Sequence, residues 1–256
     1  MNGAFEIAGI GLAAEQKALD VIANNIANIN TPAFKRSDIQ FSEMLAQQAD
    51  PTNPRADLSA DPGLAGVSAN AVLRLDQPGQ IEQTGQTLDL AIDGDGFIEL
   101  LGPHGQPLLW RGGTLTINAD GQLSGANGYA LRAEINVPEG ASALTIDADG
   151  TVSALLAGAQ QPTQLGKITL VTPDDPASLD RLDNGLYRAP DDARLAEAMP
   201  QQDGMGALVQ GALEHSNVEI NDEMVQLMIV QRAYGANAEI VQAADQMMGI
   251  ANGLRR

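Results

Sequence analysis

Hydrophobic residues recur every seven positions at both ends of the chain. Residues with this spacing lie on one stripe of an α-helix, because two helical turns take about seven residues. The pattern predicts a helix over Gly3 to Asn28 and a longer one within Gln210 to Arg256. The N-terminal stripe contains Phe5, Leu12, Leu19 and Ile26. The C-terminal stripe contains Ile220, Leu227, Tyr234, Val241 and Met248.

Each stripe needs an apolar surface to cover it, and two arrangements are open. The helices pack as unrelated amphipathic segments on a globular core, or they pair with each other as a coiled coil. A helix of about thirty residues is on the order of 50 Å long, which is more than a small domain covers. This length favours pairing of the two ends and leaves the middle of the chain as a separate domain.

The residues that follow the first helix predict where it ends. Asparagines at positions 24, 25, 28 and 30 precede Thr31 and Pro32. Asparagine favours caps and turns over helix interiors, and a proline disfavours helical geometry in the residue before it. The first helix is therefore predicted to end between Asn28 and Asn30.

The middle of the chain changes from helical periodicity to turns and alternation. Residues 47–71 contain three prolines and many small residues, which predict an extended linker. From Val72 to Ala189, apolar residues alternate with polar ones between Asp-Gly turns, which predicts short antiparallel strands. Residues 191–206 are predicted to form a loop.

The predicted fold class is α+β, with terminal helices forming a coiled-coil unit and a mainly antiparallel β domain inserted between them. The helical unit is predicted to comprise residues 1–36 and 207–256. The linker is predicted over residues 37–71 and the β domain over residues 72–206.

Composition excludes several classes of function. Fourteen basic and 33 acidic residues give a formal net charge of -19, which argues against nucleic acid and anionic membranes as partners. No run approaches the ~18 apolar residues of a membrane-spanning helix, and Glu6 and Glu15 interrupt any signal-peptide core. The absence of cysteine excludes disulfides and thiolate sites.

Candidate catalytic and metal-binding residues are few. The segments Asp93–Gly96 and Asp147–Gly150 resemble cation loops, but both lack the further ligands of an EF-hand and are predicted to be hairpin turns. His104 and His215 lie in different segments without a second ligand nearby. We therefore predict no catalytic residue, no metal and no cofactor.

Three motifs, in order along the chain, resemble those of the flagellar rod and hook proteins of bacteria. They are GLAAEQKALDVIANNIANINTPAFKR at 11–36, LDLAIDGDGFIEL at 88–100 and GALEHSNVEINDEMVQLMIVQRAYGANAEIVQAADQMM at 211–248. The chain is most similar to the distal-rod branch of this family, with the proximal-rod branch as the alternative. Ala33 stands where the family often has glycine.

The resemblance implies a structural role rather than an enzymatic one. Members of the family are exported through the flagellar type III apparatus without a cleaved signal and polymerise into a helical tube. This tube is the drive shaft that transmits torque from motor to hook within the basal body, in the periplasmic space. The implied partners are further copies of the chain, other rod and hook proteins, the export apparatus and the surrounding ring proteins.

The stripes and the resemblance together predict an assembly interface formed by both ends of the chain. Two other hypotheses stay open, an enzyme with an unrecognised site in the β domain and a soluble cap or chaperone-like protein. The predicted interface residues are Phe5, Leu12, Leu19, Ile22, Ile26, Asn24, Asn25, Asn28, Thr31, Phe34, Ile220, Met224, Leu227, Gln231, Arg232, Tyr234, Val241 and Met248.

Overall fold

The computed structural model describes residues 2–44, 66–156, 158–190, 193–202 and 204–253. Helix α1 spans Asn2–Ala27 and helix α2 spans Ile220–Gly253. The strands between them are β1 (Ser37–Met44), β2 (Gly66–Leu73), β3 (Ile81–Gln83), β4 (Asp89–Asp93), β5 (Phe97–Leu101), β6 (Pro107–Trp110), β7 (Gly112–Thr114), β8 (Thr116–Ile117), β9 (Leu123–Ser124), β10 (Ala143–Ile146), β11 (Thr151–Leu155), β12 (Thr163–Lys167), β13 (Leu170–Pro173), β14 (Asp180–Arg181), β15 (Leu186–Arg188), β16 (Leu195–Ala198), β17 (Ala207–Gln210) and β18 (Ala212–Glu214). The α+β class with a central antiparallel β domain is confirmed.

The chain divides into two compact units. The helical unit contains α1, α2 and the paired strands β1 and β2. The β unit contains residues 28–36 together with residues 73–218. Strand pairing therefore occurs at both ends of the segment predicted as a linker, because Ser37–Met44 and Gly66–Leu73 pair with each other. The rest of that predicted linker, residues 45–65, lies outside the described residues.

The β unit is built from short antiparallel strands. Its largest sheet has the order β14-β15-β6-β5-β13-β16, and a second sheet has the order β17-β4-β7. The smaller sheets are β10-β11-β12, β18-β3 and β8-β9. The prediction that residues 191–206 form a loop is wrong at Leu195–Ala198, because this segment pairs with β13 as an edge strand.

The central strands of the largest sheet bury both of their faces. Ile98 and Trp110 pack into the main core, whereas Phe97, Leu109 and Tyr187 pack into a second cluster. Since neighbouring side chains on a strand point to opposite faces, the mostly apolar strands β5 and β6 contribute to two hydrophobic layers. The β unit thus has a complete core of its own.

The two Asp-Gly segments have different roles. Asp147–Gly150 joins β10 to β11, which pair with each other, so the predicted hairpin turn is confirmed there. Asp93–Gly96 joins β4 to β5, which lie in different sheets, so the predicted hairpin is wrong. The second segment instead carries the chain from one sheet into the next.

Gly150 offers a test of the turn. Its φ is +87°, and a Cβ there would lie 2.2 Å from the carbonyl oxygen of Ile168. We expect Gly150→Ala to destabilise the β unit by about 1–3 kcal/mol more than Gly158→Ala. Gly158 has a similar φ of +85° and open space around it. The difference between the two variants therefore measures the clash of the added Cβ at position 150. Denaturant unfolding followed by the fluorescence of the buried Trp110 measures both variants, and equal losses would contradict the steric assignment.

Candidate assembly surface

Helices α1 and α2 contact each other and run in opposite directions within the helical unit. Near the end of α1, the amide of Asn25 donates to the Glu223 carboxylate at 3.2 Å. Ten residues earlier in α1, Glu15 accepts from Asn237, much further along α2, at 2.7 Å. The C-terminal end of α1 therefore lies against the N-terminal end of α2, which makes the two helices antiparallel.

The surface of α2 that faces α1 follows the predicted C-terminal stripe and its neighbouring row. Glu223 and Asn237 both bond to α1, and Val230 lines a groove with Ala18 and Ile22 of α1. Leu227 and Val241 are four residues further on from Glu223 and Asn237, which places them on the same side of α2. Both are half-buried. We name the row 223, 227, 230, 237 and 241 the inner row.

The other predicted interface residues of the helical unit differ in exposure. Ile22 and Asn25 are buried, and Leu12, Leu19 and Ile26 are half-buried. The side chains of Phe5 and Met248 lie outside those that the structure describes. The exposed residues are Asn24, Ile220, Met224, Gln231, Arg232 and Tyr234.

Many large apolar side chains of α2 remain exposed. Ile229, Met247 and Ile250 are each more than 60% exposed. Further exposed members are Ile220, Met224, Val225, Met228, Tyr234 and Ile240. Large apolar surfaces of this kind mark interaction sites, because a soluble monomer covers most of its contiguous apolar area.

Asn25 is the buried polar contact that joins three segments of the helical unit. Its side-chain amide donates to the Ser37 carbonyl at 2.8 Å, and its oxygen accepts from the Ser37 backbone amide at 3.0 Å. The same amide group reaches Glu223 of α2. Asn25 therefore fixes the start of β1 against both helices. The sequence predicted this residue as a member of the assembly interface at the helix end, and its bonds within the helical unit are an additional finding.

In the β unit, residues 28–36 form a turn that docks on the sheets. The backbone amide of Thr31 donates to the Asn28 carbonyl at 3.0 Å, and both side chains are half-buried. Phe34 is buried beneath the Arg181 guanidinium, whose carbon lies 4.1 Å from the ring centroid. Ala33 has a φ of 56°, in the left-handed region that glycine adopts most readily. This explains why the family that the motifs resemble often has glycine at this position.

A buried charge cluster centres on Glu214 of β18. Its carboxylate accepts from the Lys35 ammonium at 2.6 Å and from the Arg111 guanidinium at 3.3 Å. The Gly79 backbone amide also donates to it at 2.8 Å. Arg111 donates in addition to the Gly96 carbonyl at 2.8 Å. These contacts join four separate segments of the β unit through one carboxylate.

The cluster contains two cations and one carboxylate, and all three residues are buried. Burial lowers the pKa of Lys35, the nearby Arg111 lowers it further, and Glu214 acts in the opposite direction. Burial raises the pKa of the neighbouring Tyr187 phenol. Sequence reasoning missed this cluster, although Lys35 and Glu214 both stand within the terminal motifs.

Of the two histidines, only His215 has a side chain that the structure describes, and that of His104 lies outside it. His215 bonds to the Glu82 carboxylate. The part of the chain that the structure describes has no group of three His, Asp or Glu residues arranged to hold a metal ion. Neither of the two described helices is long and apolar enough to cross a membrane.

Loss of the Glu214 charge should destabilise the β unit strongly. Glu214→Gln leaves two buried cations without an anion, and we expect a loss of about 3–5 kcal/mol. Trp110 fluorescence during urea unfolding of the full chain measures the change. Arg188→Gln is the control, because the pair of Arg188 with Asp180 is exposed and should contribute less than about 1 kcal/mol. Similar losses in both variants would contradict the role of the cluster.

Removal of the Asn25 side chain should affect the helical unit alone. Asn25→Ala removes three hydrogen bonds at a buried site, and we expect a loss of about 2–3 kcal/mol. Far-UV circular dichroism follows the helices, while Trp110 reports the β unit. Asn221→Ala is the matched control at an exposed position of α2 and should cost less than about 1 kcal/mol. The assignment fails if Asn221→Ala is the more damaging variant.

Comparison with known proteins covers both ends and the centre of the chain. The family model described as "Flagella basal body rod protein" matches residues 5–35, and the one described as "Flagellar basal body rod FlgEFG protein C-terminal" matches residues 209–254. Between them, the model described as "Flagellar hook protein FlgE/F/G D1 domain" matches residues 91–154.

Curated relatives match over nearly the whole length. The flagellar basal-body rod protein FlgG of Borreliella burgdorferi is 33% identical over all of both chains. FlgG of Agrobacterium fabrum is 36% identical over 96% of this chain and 97% of the relative. The flagellar hook-basal body complex protein FlhP of Bacillus subtilis is 30% identical over 94% of both. The chain therefore belongs to the flagellar basal-body rod protein family and is most like FlgG.

Proposed function

We propose that this chain is a distal-rod subunit that polymerises into the helical drive shaft between the flagellar motor and the hook. The observation that carries the proposal is the exposed apolar surface of α2, in a chain whose β unit has a core of its own. Burying a large apolar side chain contributes about 1.5–3 kcal/mol, so several such residues favour association of subunits. The names of the relatives support a rod subunit within the flagellar basal body.

In this proposal the two helices form a coiled-coil layer, and the β unit is a separately folded domain. The polar contacts of Asn25 and Glu15 with α2 support pairing of the helices within one subunit. Exposed residues of α2, such as Ile220, Met224 and Tyr234, would then contact neighbouring subunits. Many parallel helix contacts resist twisting, because an applied torque is shared among them.

The proposal includes passage through the type III export apparatus and assembly in the periplasmic space. Its partners there are other rod and hook proteins, with ring proteins around the shaft. The net charge of -19 keeps single subunits apart before assembly.

A complementation experiment tests the proposed function. In cells lacking the gene, we expect incomplete rods and no motility, and the intact chain should restore both. Leu227→Asp or Val241→Asp should fail to complement, because each places a charge on the inner row of α2. Electron microscopy of isolated basal bodies and swimming assays provide the measurements.

Gln242→Asp is the control for that experiment. Gln242 follows Val241 directly and is exposed, so the variant carries the same charge without disturbing the inner row. It should complement like the intact chain. Complete rods in cells that lack the gene would refute the proposed role, whereas normal rods built from Val241→Asp would refute the importance of the inner row.

A further inference from the structure

A cleft opens on the surface of the β unit next to the Glu214 cluster. Its volume is about 390 Å³, which lies in the range of clefts that hold ligands in other proteins. Its walls come from residues 73–76, the start of β5, the residue after β6 and the end of β13 together with the residues that follow it. All of these residues belong to the β unit. We name this feature the β cleft.

The walls of the β cleft are largely apolar. Leu73 and Leu75 are half-buried, Phe97 and Pro173 are buried, and Pro176 is exposed at the edge. Burial of an apolar side chain against such walls is favourable, because it removes apolar surface of both partners from water. The β cleft therefore fits one apolar side chain or a short apolar segment.

The buried side chain of Arg111 holds the β cleft in shape. It donates to the Glu214 carboxylate at 3.3 Å and to the Gly96 carbonyl at 2.8 Å. Its guanidinium carbon lies 5.7 Å from the centroid of the Phe97 ring. Gly96 and Phe97 both line the cleft, so these contacts position its walls before any ligand binds. A preformed site loses little conformational freedom on binding.

The mouth of the β cleft is acidic. The exposed ionisable residues that line it are Asp76, Asp95 and Asp175. Arg74 lies 3.4 Å from the Asp76 carboxylate and offsets part of its charge. Arg111 is buried and paired with Glu214, so its charge is already matched. Positive charge beside the apolar part of a ligand is therefore complementary to the mouth.

Apolar walls inside an acidic mouth specify the chemistry of the ligand. An extended peptide segment with one apolar residue between two basic ones places the apolar side chain in the cleft and both cations at the mouth. The aliphatic stems of arginine and lysine also pack on apolar surface while their charged heads stay in water. A metal ion has no apolar group and would leave the walls uncovered. A second copy is less suited, since each chain carries a formal net charge of -19.

We propose that the β cleft binds an extended segment of a partner protein in which an apolar residue is flanked by arginine or lysine. The apolar residue enters between Leu75 and Pro173, and the flanking cations meet Asp95 and Asp175. This inference goes beyond the proposed function, because it assigns a binding site for a different protein to the β unit and requires no contact between subunits.

A titration of the purified full chain with synthetic peptides, followed by NMR of its backbone amides, tests the proposal. The probe is the acetylated and amidated peptide Gly-Arg-Leu-Arg-Gly, which should shift the signals of Leu75, Gly96 and Phe97. Gly-Arg-Gly-Arg-Gly lacks the apolar residue and Gly-Gln-Leu-Gln-Gly lacks the charges. Each of these two should bind about fivefold more weakly or worse, because it keeps only one of the two contacts.

Removal of charge from the mouth should weaken the same peptide. The double variant Asp95→Asn with Asp175→Asn should raise the dissociation constant of Gly-Arg-Leu-Arg-Gly about fivefold and leave that of Gly-Gln-Leu-Gln-Gly unchanged. Asp120→Asn is the matched control, because it removes the same charge at an exposed position that does not line the cleft. Urea unfolding followed by Trp110 fluorescence verifies that each variant keeps its fold.

Four outcomes overturn the proposal. Shifts that lie outside the cleft, or equal binding of Gly-Arg-Gly-Arg-Gly, would reduce the effect to general attraction by an acidic surface. Equal weakening by Asp120→Asn would do the same. Absence of peptide binding, together with self-association in sedimentation that the double variant weakens, would make a second copy the occupant. Each of these is measured without rod assembly, so failed complementation in cells would count against the proposed function alone.

Discussion

The buried carboxylate of Glu214 is the contact on which the organisation of the β unit depends. It binds Lys35, in the segment that follows α1, and Arg111, directly after β6. Glu214 itself lies six residues before α2 begins. The backbone amide of Ala33 also donates to the Glu214 carbonyl at 2.7 Å. The segments that lead out of α1 and into α2 are thus fixed to each other within the β unit.

This arrangement has a physical cost and a structural consequence. A buried ion pair contributes little net stability over an apolar pair of the same shape, but removal of one partner is severe. The cluster therefore acts more as a constraint on which segments meet than as a source of stability. Because the segment that follows α1 and the segment that precedes α2 are held together, the two helices can pair in antiparallel directions without a long connection. The polar contacts of Asn25 and Glu15 then set which residues of the helices lie opposite each other.

Periodicity predicted the elements that bury a regular face. The heptad spacing located both helices, and the row containing Leu227 and Val241 lies on the α1 side of α2. The Asp-Gly turn at Asp147–Gly150 was equally predictable, because the turn and its two strands are local. Elements that depend on distant partners were not predictable in this way. β16 has only four residues, and its pairing with β13 is what makes it a strand. The Glu214 cluster joins residues far apart in sequence, and no local pattern indicates which charges are buried together.

The inner row of α2 explains why the two helices pair in one arrangement. It contains polar members, Glu223 and Asn237, whose hydrogen bonds specify one pairing with α1. A row of leucines alone would bury more apolar area, but it would pair equally well with any exposed apolar helix. Large apolar residues of α2 outside the inner row, such as Ile229 and Met247, stay exposed, so the same helix is specific on one face and keeps apolar surface on another.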